Sequence, residues 1–319
     1  MTAGVPVRAM VPGELAAALA RAGRPLSPGP ATVLAGPLLS RWALTELDGA
    51  RLWLDTPADG AAEPAPAPPS LPAGPVRLGV PIALPGAGLG YAVPWPPALL
   101  ATAVTRGGPG HPAPAELGAG LGRLLRDLHD RGSAAPGTAP AALARVDAAG
   151  SLARTDARLA AAFARVRGAW PASPRVALHG EPSTGQLLVA ARPAVDDPVL
   201  AVLTGWSGRA GGPAWFDVGY LVGDLLEIGQ LLHGSPEGPD SWTRTAVDSV
   251  AAAVRRGYDG GRPLSAAFWR AAADAAAVKV LDHEARIIAA FGPRPDAVAV
   301  LAGLGHTVLD TATALMEGR

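Results

Sequence analysis

The spacing of apolar positions changes along the chain, from alternation near the amino terminus to a repeat of three to four residues beyond residue 114. In RWALTELDGARLWLDTP, Arg41 to Pro57, two alternating arms flank Asp48-Gly49, a pair that favours a tight turn, and this predicts a β-hairpin. Two further apolar stretches, Arg77 to Leu84 and Gly88 to Trp95, are expected to complete a small antiparallel sheet. Pro81 and Pro94 weaken that pattern, because proline donates no ladder hydrogen bond. Ahead of the hairpin, Glu14 to Ala22 predicts a short helix. Pro57 to Pro75 carries so many prolines that an extended loop is expected instead of a helix.

Beyond the Gly/Pro-rich joint near Arg106 to Pro114 the period becomes helical. AELGAGLGRLLRDLHDRG places Leu117, Leu121, Leu124, Leu125 and Leu128 on one face. A second helix is predicted over Ala153 to Ala169, followed by short strands at VALHG, QLLVA and VLAVLTGW. Helices follow from Leu221, ending in a helical hairpin with no solenoid repeat. The expected organisation is α+β and bilobal: residues 1–105 form a small antiparallel-sheet lobe and residues 106–319 a larger, mostly helical one.

Composition narrows the function classes. Apolar residues make up 49% and aromatics only 5%, so the core must be built largely of Ala, Leu and Val, which suits helices. Lys plus Arg and Asp plus Glu balance at 27 each, leaving no excess charge to attract nucleic acid or an anionic membrane. No cysteine is present, which excludes disulfides, Cys-bound metals and thiol catalysis and suits a cytoplasmic location. The first twenty residues, interrupted by Pro6 and Pro12, do not read as a signal peptide, and no segment is expected to reach the roughly twenty apolar residues of a membrane span.

The chemistry-bearing segment is VALHGEPSTGQLLV, Val176 to Val189. It resembles the catalytic loop of the aminoglycoside phosphotransferase family, a strand followed by His-Gly-Asp, four residues, Asn and another apolar strand. VLAVLTGWSGRAGGPAWFDVGYLVGDLLE, farther on, is similar to that family's metal-binding strand and the segment after it, with Trp206, Gly211, Pro213, Asp217 and Gly219 in register. The resemblance implies a protein-kinase-like fold, with His179 and Glu181 at the catalytic positions and Gln186 at the first metal-ligand position. It also implies that Asp217 braces the catalytic loop through backbone hydrogen bonds, and that His129 packs structurally.

Against that pattern several functional groups are altered. Phosphoryl transfer of this type needs a carboxylate near the acceptor hydroxyl, magnesium ligands, and a small-lobe lysine on the ATP phosphates. Glu181 and Gln186 each lengthen the family's side chain by one methylene, whereas magnesium demands near-ideal octahedral geometry. The second metal ligand falls at Gly205, with Thr204 beside it offering only a hydroxyl. The one lysine, Lys279, is far downstream and cannot be the small-lobe clamp. The hairpin offers Leu54 and Asp55 there, with Arg51 nearby as a substitute. An Asp facing the phosphates would repel them.

These losses point to a pseudokinase with no cofactor or metal, whose cleft binds a peptide, a small molecule or a partner enzyme. The alternative is a divergent phosphotransferase using Mg-ATP on a hydroxyl of a small metabolite or a precursor-peptide Ser/Thr. A third reading is metal-free acid/base chemistry at Glu181. The Ala/Arg/Pro/Gly-rich, Lys-poor composition is like that of high-GC actinobacterial proteins, where members of the family occur as resistance enzymes and in peptide natural-product pathways. Ser183 and Thr184 beside His179 lack the nucleophile elbow and completing Asp that a hydrolase needs. Trp42, Trp53, Tyr91 and Trp95 gather in the small lobe, where they serve either ligand stacking or packing.

Overall fold

The two arms of the expected hairpin pair as antiparallel strands. A computed structural model describes residues 33–35, 39–45, 51–57, 69–84, 88–95, 97–106, 113–132, 138–190, 198–206, 210–232 and 244–318; the expected helix at 14–22 and the hairpin turn lie outside them. β1 (Val33–Ala35), β2 (Leu39–Thr45) and β3 (Arg51–Pro57) form an antiparallel meander. β5 (Pro81–Leu84) and β6 (Gly88–Val93) extend it in the order β1-β2-β3-β6-β5. Pro81 is tolerated because β5 is an edge strand, where a missing N–H leaves no central ladder bond unmade.

β4 (Val76–Leu78) departs from the expectation that Arg77 to Leu84 joins that sheet as one strand. It runs parallel to β10 (Ala201–Leu203) in a second sheet, β4-β10-β9-β7, which also contains β7 (Pro97–Leu99) and β9 (Leu187–Ala190). This sheet couples segments on either side of residue 105. The faces of the two sheets meet in one aromatic cluster in which Trp53, Tyr91 and Trp95 bury against Leu188, Val199 and Val202. The three rings are packing groups, and the Trp95 indole N–H donates to Val199 O at 3.0 Å.

α1 (Leu100–Arg106) leads to α2 (Pro114–Arg131), which buries the five predicted leucines. The single helix expected over 153–169 is two: α4 (Leu152–Thr155) and α5 (Ala157–Ala169), both following α3 (Ala141–Ala149). Asp156 causes the break, because its carboxylate accepts the N–H groups of Arg158 and Leu159 and so starts a new helix. α6 (Trp215–Leu231) is buried almost all round, and α7 (Arg244–Asp259), α8 (Ala266–Phe291) and α9 (Pro295–Glu317) pack about it. Contrary to expectation, α9 has the length and apolarity of a membrane span, with a mean hydropathy of 1.4 over its most apolar stretch. Its Leu301, Val308, Leu309, Ala312 and Met316 bury in the helical core.

α6 and α8 approach closely through small residues. A Cβ on Gly219 would lie 2.1 Å from Ala272 O, and one on Gly223 would lie 2.4 Å from Ala276 O. The backbones can sit this close only because neither position carries a side chain. The approach brings the polar stripes of two otherwise apolar helices face to face.

Candidate functional site

The loop from Leu178 to Gln186 joins β8 (Val176–Ala177) to β9, and two acids of α6 fix its shape. Asp217 accepts the N–H groups of His179 at 2.7 Å and Gly180 at 2.9 Å, and also the His129 Nε2–H at 3.1 Å. His129 Nδ1 faces the Tyr258 hydroxyl at 2.7 Å, so it bridges α2, α6 and α7. Asp224 accepts the Thr184 N–H at 2.6 Å. The His179 Nε2–H donates to Thr204 O at 2.8 Å, and burial, outweighing Asp217, holds the ring below its ordinary pKa.

Both Glu181 oxygens already accept from arginines. Arg145 Nη2 donates to Oε1 at 2.7 Å, and Arg286 Nη2 donates to Oε2. Both guanidiniums also hold buried Asp282: Arg145 Nε donates at 2.7 Å and Arg286 Nε at 2.9 Å, while the Tyr220 hydroxyl donates at 2.7 Å. Burial pushes the Asp282 carboxyl up, but the two arginines and Tyr220 reverse this and hold it at about 2.

Gln186 and Gly205 interlock. Gly205 has φ +83°, a left-handed conformation that L side chains rarely adopt, and a Cβ there would lie 2.4 Å from Gln186 Nε2. The longer amide therefore fills the place beside the missing side chain. Thr204 turns inward, its hydroxyl donating to Gln186 O at 2.9 Å, and the Gly205 N–H donates to the Tyr91 hydroxyl at 3.1 Å. Asp55 is buried and accepts the Trp53 indole N–H at 2.9 Å. Arg51 opens β3, and its side chain lies outside the described residues.

Lys279 lies in α8, remote from β3, and lines the same cleft as Glu181. Its ammonium donates to Glu227 at 2.7 Å and pairs with Asp224 at 3.2 Å, and His283 Nδ1 donates to the other Glu227 oxygen. Burial pushes the Glu227 carboxyl up, but Lys279 and His283 outweigh it and hold it at about 2. Arg145, Asp282, Arg286, Asp224, Glu227 and His283 carry no motif. For all but Arg145, on α3, the signal is polar side chains at helical spacing inside apolar helices, 217, 220, 224 and 227 on α6 and 279, 282/283 and 286 on α8. Two cavities flank Glu181: one of about 410 Å³ bordered by Arg145, His179 and Gly205, the other of about 440 Å³ between α6 and α8.

Neither a family model nor a curated protein matches this sequence. An amicoumacin kinase solved with AMP-PNP, Ca²⁺ and amicoumacin superposes with a TM-score of 0.52 at 13% identity, covering 94% of this chain and 96% of that one. The chain has the aminoglycoside phosphotransferase-like kinase fold. A macrolide 2'-phosphotransferase from Brachybacterium faecium, at 18% identity and a TM-score of 0.48, covers 96% of this chain and 98% of its own.

A magnesium ion does not fit the residues that this kinase fold places here. A divalent ion needs oxygen ligands, in this fold's sites normally including one or two carboxylates. Gly205 supplies none, both Glu181 oxygens are paired with arginine guanidiniums whose positive charge opposes a cation, and the Gln186 amide fills the space beside Gly205. Among the described residues no group of three His, Cys, Asp or Glu could hold a metal.

Proposed function

We propose that this protein is a pseudokinase: a phosphotransferase-like scaffold that binds its ligand without ATP and magnesium, acting in the cytoplasm. The observation that carries the reading is the Gln186 amide packed into the space beside Gly205. That packing couples the two altered metal positions, so restoring one alone meets the other. The two-arginine hold on Glu181 supports the reading, because a base must offer a carboxylate oxygen to the acceptor hydroxyl. It weighs equally against metal-free acid/base chemistry at Glu181. The ligand is a peptide, a metabolite or a partner enzyme's segment that enters the α6/α8 cleft, in a biosynthetic setting where a separate enzyme performs the chemistry.

Calorimetric titration with Mg-ATP tests this, with thermal shift alongside, since a ligand of the folded state raises apparent stability. No binding up to about 1 mM is expected. Micromolar, magnesium-dependent binding, followed by phosphoryl transfer that Glu181→Gln abolishes, would establish the divergent phosphotransferase instead.

A further inference from the structure

The cleft between α6 and α8 holds guanidinium N–H groups that no protein acceptor takes among the described residues. Every carboxylate oxygen around it already accepts from the protein. Glu181 accepts from two arginines, Asp224 from Thr184 N–H and Lys279, and Glu227 from Lys279 and His283. Beneath them Asp282 accepts from both arginines and Tyr220. The donors are not exhausted. Arg286 engages Nε and Nη2, leaving both Nη1 hydrogens without a protein partner among the described residues. His283 spends its Nδ1–H on Glu227, so the Arg286 Nη1 hydrogens are the unspent donors.

The unspent hydrogens sit on an accessible side chain. The Arg286 side chain is 41% exposed, whereas Glu227 is 3% exposed and Asp282 is fully buried. Three residues apart on α8, His283 and Arg286 share a face. Ala101, Ile228 and Leu231 supply apolar lining to the same cleft. A ligand that complements it therefore has an acceptor-rich anionic head and an apolar body. An ammonium would have to share carboxylate oxygens that already accept from Arg145, Arg286, Lys279 and His283.

We infer that this cleft binds a small molecule bearing a carboxylate, its oxygens on the Arg286 Nη1 hydrogens and its apolar portion against Ile228 and Leu231. The guanidinium's charge strengthens a hydrogen bond that Nη1 gives to a carboxylate. The volume of about 440 Å³ suits a small organic acid. A phosphate offers the same acceptors but leaves the apolar lining uncovered. The assignment rests on the binding reading above and deepens it.

The test titrates 4-phenylbutyrate, 4-phenylbutylamine, inorganic phosphate and Mg-ATP separately into the full chain by calorimetry. 4-Phenylbutyrate is expected to saturate, the amine and phosphate to bind at least tenfold more weakly, and Arg286→Gln to weaken the butyrate at least tenfold. Leu231 is exposed, so Leu231→Glu keeps the fold and places a repelling carboxylate in the apolar lining; it too is expected to lose the butyrate. Exposed Arg123→Gln should leave binding unchanged. Binding of the amine or phosphate equal to that of the butyrate overturns the inference. So does butyrate binding unaltered in Arg286→Gln or Leu231→Glu, or no butyrate saturation up to about 10 mM. Mg-ATP binding alone overturns the nucleotide-free reading and leaves the carboxylate result to stand or fall separately.

Discussion

Gly205 shows how a single residue sets the state of a site. Its φ of +83° and the Gln186 amide 2.4 Å from a would-be Cβ are two independent obstacles to any side chain. Gly205→Asp is therefore expected to lower stability by roughly 1–3 kcal/mol, the usual strain of a non-glycine residue held in such a region. Urea denaturation measures the loss. Gln186→Asn, which withdraws one methylene, should recover part of it in the double variant, and full additivity of the two changes would contradict the interlock. Asp217 acts in the opposite sense. By gathering the N–H groups of His179 and Gly180 it fixes the loop whether or not the loop does chemistry.

At the scale of elements, the α6/α8 pair decides what the cleft can be. Gly219 and Gly223 let the helices close, and the closure buries Lys279 against Asp224 and Glu227. Burial would lower the Lys279 pKa, but Glu227 and Asp224 outweigh it and hold the ammonium above its ordinary value. Lys279→Met leaves two carboxylates buried without their counter-charge, and removing one partner of a buried pair typically costs about 3–5 kcal/mol. Thermal unfolding near neutral pH should show that loss. It should shrink as acid protonates the stranded carboxylates, and a loss that does not change with pH would contradict the pairing. Much of this element was legible as LVGDLLE and VKVLDHEAR, acids and bases recurring at helical spacing in apolar runs. The partner of each charge was not legible, because Lys279 and Glu227 are 52 positions apart and meet only through helix packing.

For the whole molecule these networks set the acid limit. Glu227 and Asp282 sit at about 2, against ordinary values of 4.5 and 3.8. A carboxyl with a depressed folded-state pKa contributes its full stability above the ordinary value. That contribution is lost as pH falls from there through about 2. Stability should accordingly fall between about pH 4.5 and 2 by an amount on the order of 2 kcal/mol per carboxylate. Chemical denaturation across that range checks this, and Asp282→Asn should flatten part of the slope. The networks tie α3, α6, α8 and the loop together, so acid should loosen the cleft along with the helical lobe.

The sequence by itself determined the helical face of α2, the β2–β3 hairpin, the spacing of the loop around Glu181, and the side chains missing at Gly205. Each depends on local periodicity or residue identity, which a linear chain carries in full. Tertiary structure alone decided that Gln186 fills the space beside Gly205, that Arg145 and Arg286 hold Glu181 from 36 and 105 positions away, and that the remote lysine lines the cleft. Those outcomes follow from which helix faces meet and how closely. Contact geometry of that kind is set by the packing of both partners, and neither segment encodes it alone.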